Sequence, residues 1–174
     1  MKRQSEIRIE QVDTQRKGKK PLALRSTKRL GELAEMAFAY KAASLGFGVA
    51  KPYGESERFD FVVSSGRRLW RVQVKSTYTA LKRGYRIRAI GNRRRGLGIY
   101  TKDEIDFIVV YLAPEDIWYV IPIEAVGVRR SIYFYPKGTF FPNGNQRGLR
   151  RYEKYREAWW QMRSNRKPGV GRKP

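Results

Sequence analysis

The chain has 174 residues, enough for one domain with its own core, and its 41% apolar and 13% aromatic content is that of a globular protein. Its 38 Lys and Arg residues against 16 Asp and Glu leave a net charge of +22, which is self-repelling in a compact fold and points to a polyanionic partner, nucleic acid first. With no cysteine and no histidine, disulfides, zinc fingers, thiol nucleophiles, Ser-His-Asp triads and every histidine-metal nuclease site are excluded.

Residues 1–25 hold few large apolar side chains and carry Lys19 and Lys20 beside Gly18, which predicts a solvated basic arm able to meet DNA. From Ser26 or Thr27, either of which can cap a helix, Leu30, Leu33, Ala34, Ala37, Phe38 and Leu45 recur at helical spacing, so 27–45 is predicted to be one amphipathic helix ended by Gly46. FGVAKP, then RFDFVVSS, the Ser65-Gly66 turn and LWRVQVKST read as a strand followed by a hairpin. YRIRAIG, IDFIVVYL and, after the turn at Pro114-Glu115-Asp116, IWYVIPI complete a predicted sheet of five or more strands. Tyr152, Tyr155, Trp159 and Met162 share one face of a predicted closing helix over 149–162, and the Gly, Pro and basic residues that follow predict a second flexible arm. The expected organisation is therefore a basic arm (1–25), one domain (26–162) and a basic tail (163–174). No apolar stretch approaches the roughly 18 residues that cross a bilayer, and the amino terminus has no secretory pattern, so no membrane partner and a cytoplasmic address are expected.

The chemistry concentrates in residues 31–77. Alternation along a strand puts Gln73 and Lys75 on one face and Trp70, Val72 and Val74 on the other. The hairpin brings Asp60 alongside that polar pair, so a carboxylate, an amide oxygen and an ammonium converge. Magnesium accepts hard oxygen ligands and keeps several waters, so Asp60, Gln73 and a strand carbonyl, that of Val74, suit it. Lys75 could then orient a water or neutralise charge on a phosphate, and hydrolysis of a phosphodiester is the matching reaction. The helix offers two acids in its first turns, Glu32 and Glu35, as rivals for a fourth member.

The same segments resemble a known family. GELAE in a helix, ERFDF and VQVK are similar to the signature of the PD-(D/E)XK nucleases: a helical Glu, a strand Asp and an (E/Q)xK strand. The likeness spans about residues 30–122 and is nearest the QxK branch, which includes an intron-encoded homing endonuclease; likeness to archaeal Holliday-junction resolvases is weaker. It implies an α/β restriction-endonuclease-like core, a mixed central sheet flanked by helices, and a Mg2+-dependent DNA endonuclease in which Mn2+ can substitute. It further implies catalytic roles for Glu35, Asp60, Gln73 and Lys75, with metal at Asp60, Gln73 and Val74. Gln73 stands where most of the family has an acid, which removes one negative charge and weakens the hold on a cation.

Around this set, Ser76 and Thr77 follow the lysine and can donate to a phosphate, Arg93, Arg94 and Arg95 crowd the segment GNRRRG, and Arg147 lies in a second Gly-rich loop. Asp103, Glu104 and Asp106 form another acidic cluster, in which Asp103 and Glu104 read as a solvated turn before the IDFIVVYL strand, and Tyr152, Trp159 and Trp160 read as core before base-stacking. The partner expected is DNA, and cutting two strands with one small site favours a homodimer or homotetramer. The rival readings are a non-catalytic nucleic-acid-binding module on the same fold and a structural RNA-binding protein.

Overall fold

Apolar side chains four residues apart, Ala34, Phe38 and Ala42, form the buried stripe of a helix, α1 (Thr27–Ser44), in the computed structural model, which describes residues 26–54, 56–82, 84–93, 96–137 and 151–164. The helix ends where Gly46 takes a φ of 84° and the Phe47 amide turns back onto the Ala42 carbonyl at 3.1 Å. No helix of the described residues is long and apolar enough to cross a membrane.

Five strands make the central sheet, in the order β1 (Gly48–Ala50), β2 (Phe61–Ser65), β3 (Arg68–Thr77), β7 (Phe107–Leu112) and β8 (Ile117–Pro122). Ser65 pairs with Arg68 across a tight turn in which Gly66 has a φ of 61°, so β2 and β3 form the expected hairpin. β3 and β7 are parallel and the other pairs antiparallel, which makes the sheet mixed. A parallel pair needs a crossover, and this one carries three short strands, β4 (Tyr85–Arg88), β5 (Ile90–Arg93) and β6 (Gly96–Ile99). Here the structure departs from the sequence reading: the YRIRAIG strand is not in the central sheet. β4 pairs instead with β9 (Ser131–Phe134), beyond the one-turn helix α2 (Ile123–Val126), and β5 pairs with β6.

Two cores follow from strand alternation. Val72 and Val74 of β3, with Phe107 and Val109 of β7, face α1 and pack with Phe38 and Phe61. The opposite face, through Ile108 and Val110, packs against Tyr85 and Ile87 of β4 and Ile132 and Phe134 of β9. The β3–β7 junction is clamped by Asp106, whose carboxylate accepts from the Arg71 amide at 2.7 Å and from its guanidinium at 3.0 Å. Asp103 and Glu104 form the turn ahead of β7, as expected, and the Glu104 carboxylate accepts the Thr101 amide at 3.0 Å.

The closing helix is absent; residues 151–164 fold as two short 3-10 turns, Glu153–Tyr155 and Trp159–Met162. Tyr152 enters the core beneath β4 and β9, whereas Trp159 and Met162 enter the core beneath α1. The residues that share a helical face on paper therefore serve opposite faces of the sheet. The chain crosses its edge at Arg156, which bridges to Tyr119, and at Glu157, whose φ is 47° and whose amide donates to the Trp118 carbonyl at 2.8 Å. Satisfying the edge strand β8 wins over helix periodicity here. Beyond it, Arg163 donates to the Leu45 carbonyl at 3.0 Å and the Ser164 amide to the Ser65 hydroxyl at 3.0 Å.

Candidate active site

β2 stops short of the end of β3, so the last residues of β3 run past their antiparallel partner. Asp60, one residue ahead of β2, fills that gap: its amide donates to the Val72 carbonyl at 2.9 Å and its Oδ2 accepts the Val74 amide at 2.7 Å. The same Oδ2 accepts the Gln73 side-chain Nε2 at 2.6 Å, and Nε2 also reaches the Val74 carbonyl at 3.2 Å. Gln73 is the buried polar residue of the described set, at 8% exposure.

Burial raises the Asp60 carboxyl to about 6; the Val74 amide opposes this, the nearby Glu35 charge adds to it, and Lys75 and the Gln73 amide pull it back down. A half-buried carboxylate that its surroundings keep from ionising freely is poised for a cation. Glu35 reaches the site from α1, lining a cleft of about 450 Å³ with Asp60, Gln73, Val74 and Lys75. It is held by Lys51 at 2.7 Å. Glu32, its rival, is exposed on the helix.

On the other side of β3, a larger cleft of about 640 Å³ is shared by Gln73, Lys75, Ser76 and Thr77 with Arg58 and Tyr100. The Lys75 ammonium lies over the Tyr100 ring, 5.4 Å from its centre, and the Arg58 guanidinium lies over the same ring at 4.6 Å while pairing with Glu104 at 3.3 Å. Gly91 makes this possible, because a Cβ there would overlap the Tyr100 hydroxyl and come within 2.9 Å of Arg58. Thr77 spends its hydroxyl locally, donating to the Thr79 carbonyl at 3.1 Å and accepting the Thr79 amide at 3.3 Å. Ser76, its neighbour, opens onto both clefts.

The structure thus brings together Asp60, Gln73, Val74 and Lys75, sets Glu35 beside them, and puts Ser76 and Thr77 on the rim. Arg93 lies in β5, but its side chain is outside the described residues, as are Lys19, Lys20, Arg94, Arg95 and Arg147 in full. Lys51 and Arg58 belong to no recognisable functional pattern in the sequence, the tripeptide Gly98-Ile99-Tyr100 is too short to assign Tyr100 a role, and nothing local to Gly91 shows that a ring packs on it.

Whether the donors suit a divalent ion is answered by their chemistry. Among the described residues no three acidic side chains gather, so a cation would rest on one carboxylate, one amide and one carbonyl. The Gln73 nitrogen touches the oxygens of Asp60 and Val74, two of the groups that would hold such a cation. Half a turn of the carboxamide replaces that nitrogen with Oε1, giving three hard oxygens, the set magnesium takes alongside water and phosphate.

A family model described as PD-(D/E)XK endonuclease matches residues 25–158. The chain belongs to the PD-(D/E)XK endonuclease family. Among solved structures, this endonuclease is similar to one titled as a bacterial homing endonuclease, I-Ssp6803I, at 30% identity and a TM-score of 0.64, over 79% of this chain and 93% of that one. The mixed sheet with α1 on one face is accordingly the restriction-endonuclease-like fold. A second structure, titled MepB, matches at 12% identity and a TM-score of 0.46 over 76% of this chain and 97% of that one. A search of curated proteins finds no match.

Proposed function

We propose that this endonuclease hydrolyses DNA phosphodiester bonds with Mg2+ held by Asp60, Gln73 and the Val74 carbonyl, Mn2+ serving as a substitute. The observation that carries the reading is the meeting of the Asp60 carboxylate, the Gln73 carboxamide and the Val74 carbonyl at one point between two clefts, with Lys75 two residues further along the same strand. When bound, the ion would polarise the scissile phosphate and lower the pKa of a coordinated water.

The chain's own groups supply the rest. Asp60 provides the negative charge at the ion, and Glu35, kept in place by Lys51, adds a second negative charge close by. Lys75, braced over Tyr100, offers a proton-bearing cation to charge developing on a phosphate oxygen or to the attacking water. Ser76 donates to a neighbouring phosphate. Gln73 keeps the site less negative than a pair of acids would, which favours a single ion. Cutting both strands of a duplex with one such site calls for two copies, a homodimer or a homotetramer.

The test is cleavage of supercoiled plasmid and of branched DNA across a Mg2+ titration. Nicked and linear products that appear with Mg2+ and stop on chelation support the reading; substrates left intact at every protein ratio overturn it.

A further inference from the structure

The ribbon of β4 and β9 has two unlike faces. Its inner face, Tyr85 and Ile87 paired with Phe134 and Ile132, is buried in the core at 4% exposure or less. Its outer face sets Arg86 opposite Tyr133 and Arg88 opposite Ser131. Arg86 and Arg88 line the larger cleft together with Gln73, Lys75 and Ser76, so they stand across it from the proposed cutting site.

Among the described residues, the third guanidinium that lines this cleft is occupied: Arg58 pairs with Glu104 and lies over Tyr100. Arg86 and Arg88 enter no ion pair with the described residues, although Glu57 also borders the cleft. Two residues apart on one strand, they are roughly 7 Å from each other, which is about two base-pair steps along a duplex. Their backbone is fixed by the buried inner face, so the two side chains leave the ribbon from fixed points on the same face. A two-stranded ribbon is among the few elements that fit the major groove, and an arginine fork matches the N7 and O6 acceptors of guanine.

We infer that the β4–β9 ribbon enters the major groove beside the cut, where Arg86 and Arg88 read base edges and so set sequence preference. This rests on the nuclease reading only for the location of the cut; the readout itself needs DNA binding alone.

The test is a binding selection from a pool of randomised duplexes, with Ca2+ in place of Mg2+ so that bound DNA is recovered whole, using the full chain and its R86A, R88A and R86K variants. The native chain is expected to enrich a motif. Each alanine variant should lose preference at one or two positions of it and weaken binding to the preferred duplex by roughly tenfold to a hundredfold. R86K keeps the charge but lacks the fork, so it should lose the same preference while holding the salt dependence of the native chain. The inference is overturned if the native chain enriches no motif, or if the variants enrich the native motif unchanged with a uniform loss of affinity and a shallower salt slope, the mark of phosphate contact. Because no cleavage is read, a chain that never cuts DNA would overturn the proposed function and leave this result standing.

Discussion

The Gln73 side-chain nitrogen lies 2.6 Å from Asp60 Oδ2, a donor set against the one carboxylate of the cluster. Where most of the family places a second acid, this chain places a group that can hydrogen-bond to Asp60 without a cation between them.

Replacing Gln73 with Glu turns the contact into a like-charge pair. Without metal at neutral pH, Gln73→Glu should destabilise the fold by about 1–3 kcal/mol. Added Mg2+ should then raise its melting temperature more than it raises that of the native chain, because the added charge tightens the hold on the ion. Thermal melts with and without Mg2+ check both signs, and an unchanged metal-free melt contradicts the contact.

Asp60 itself gives a pH dependence. Its carboxyl titrates near 6 in the fold against an ordinary value of 3.8. The folded state therefore holds its proton more tightly than the unfolded chain does; the stability this confers is complete below about 3.8 and is lost as pH rises through about 6. Ionisation at neutral pH costs at most about 3 kcal/mol at 1.36 kcal/mol per pKa unit. Asp60→Asn, whose side-chain oxygen can still accept from Val74 and Gln73, should melt above the native chain at pH 8 without metal, the gap closing toward pH 4. A gap of the opposite sign would show that Asp60 is not under strain.

Much of this cluster was legible from strand alternation. Once VQVK is a strand, Gln73 and Lys75 must share a face, and a tight turn at Ser65-Gly66 must return Asp60 to their side. Two features were not legible. Pairing of β4 with β9 joins segments separated by more than forty residues, and no local pattern encodes it, although the alternation in YRIR does mark Arg86 and Arg88 as outward-facing. The spacing of Tyr152, Tyr155, Trp159 and Met162 fits a helix, yet Tyr152 and Met162 are buried in different cores; an extended Arg156 and a positive φ at Glu157 carry the chain across the sheet edge. Periodicity records that residues are apolar, not which of two cores receives them.

Glu157 holds that crossing. Its Oε1 accepts the Trp118 amide at 2.9 Å and its Oε2 the Trp159 indole at 2.8 Å. Glu157→Ala strands both donors and should cost about 1–3 kcal/mol in chemical denaturation. Metal binding at Asp60 should be unaffected, which separates a structural loss from damage to the site.

Gly91 supports the ring beneath Lys75. Gly91→Ala drives a methyl group into Tyr100, and should cost about 1–3 kcal/mol of stability. It should also slow cleavage under conditions where the variant is fully folded, because Lys75 loses the surface that braces it. Equal cleavage rates for folded variant and native chain would remove Tyr100 from the account.

In the proposed mechanism, Asp60 and Lys75 are the two groups on which cutting depends most directly. The direct measurement is the Mg2+-dependent rate of plasmid nicking for the native chain, Asp60→Ala and Lys75→Ala, each shown to be folded and to bind DNA. The expected result is cleavage by the native chain and none by either variant while DNA binding persists. Cleavage that survives in Asp60→Ala at the native rate would contradict the assignment.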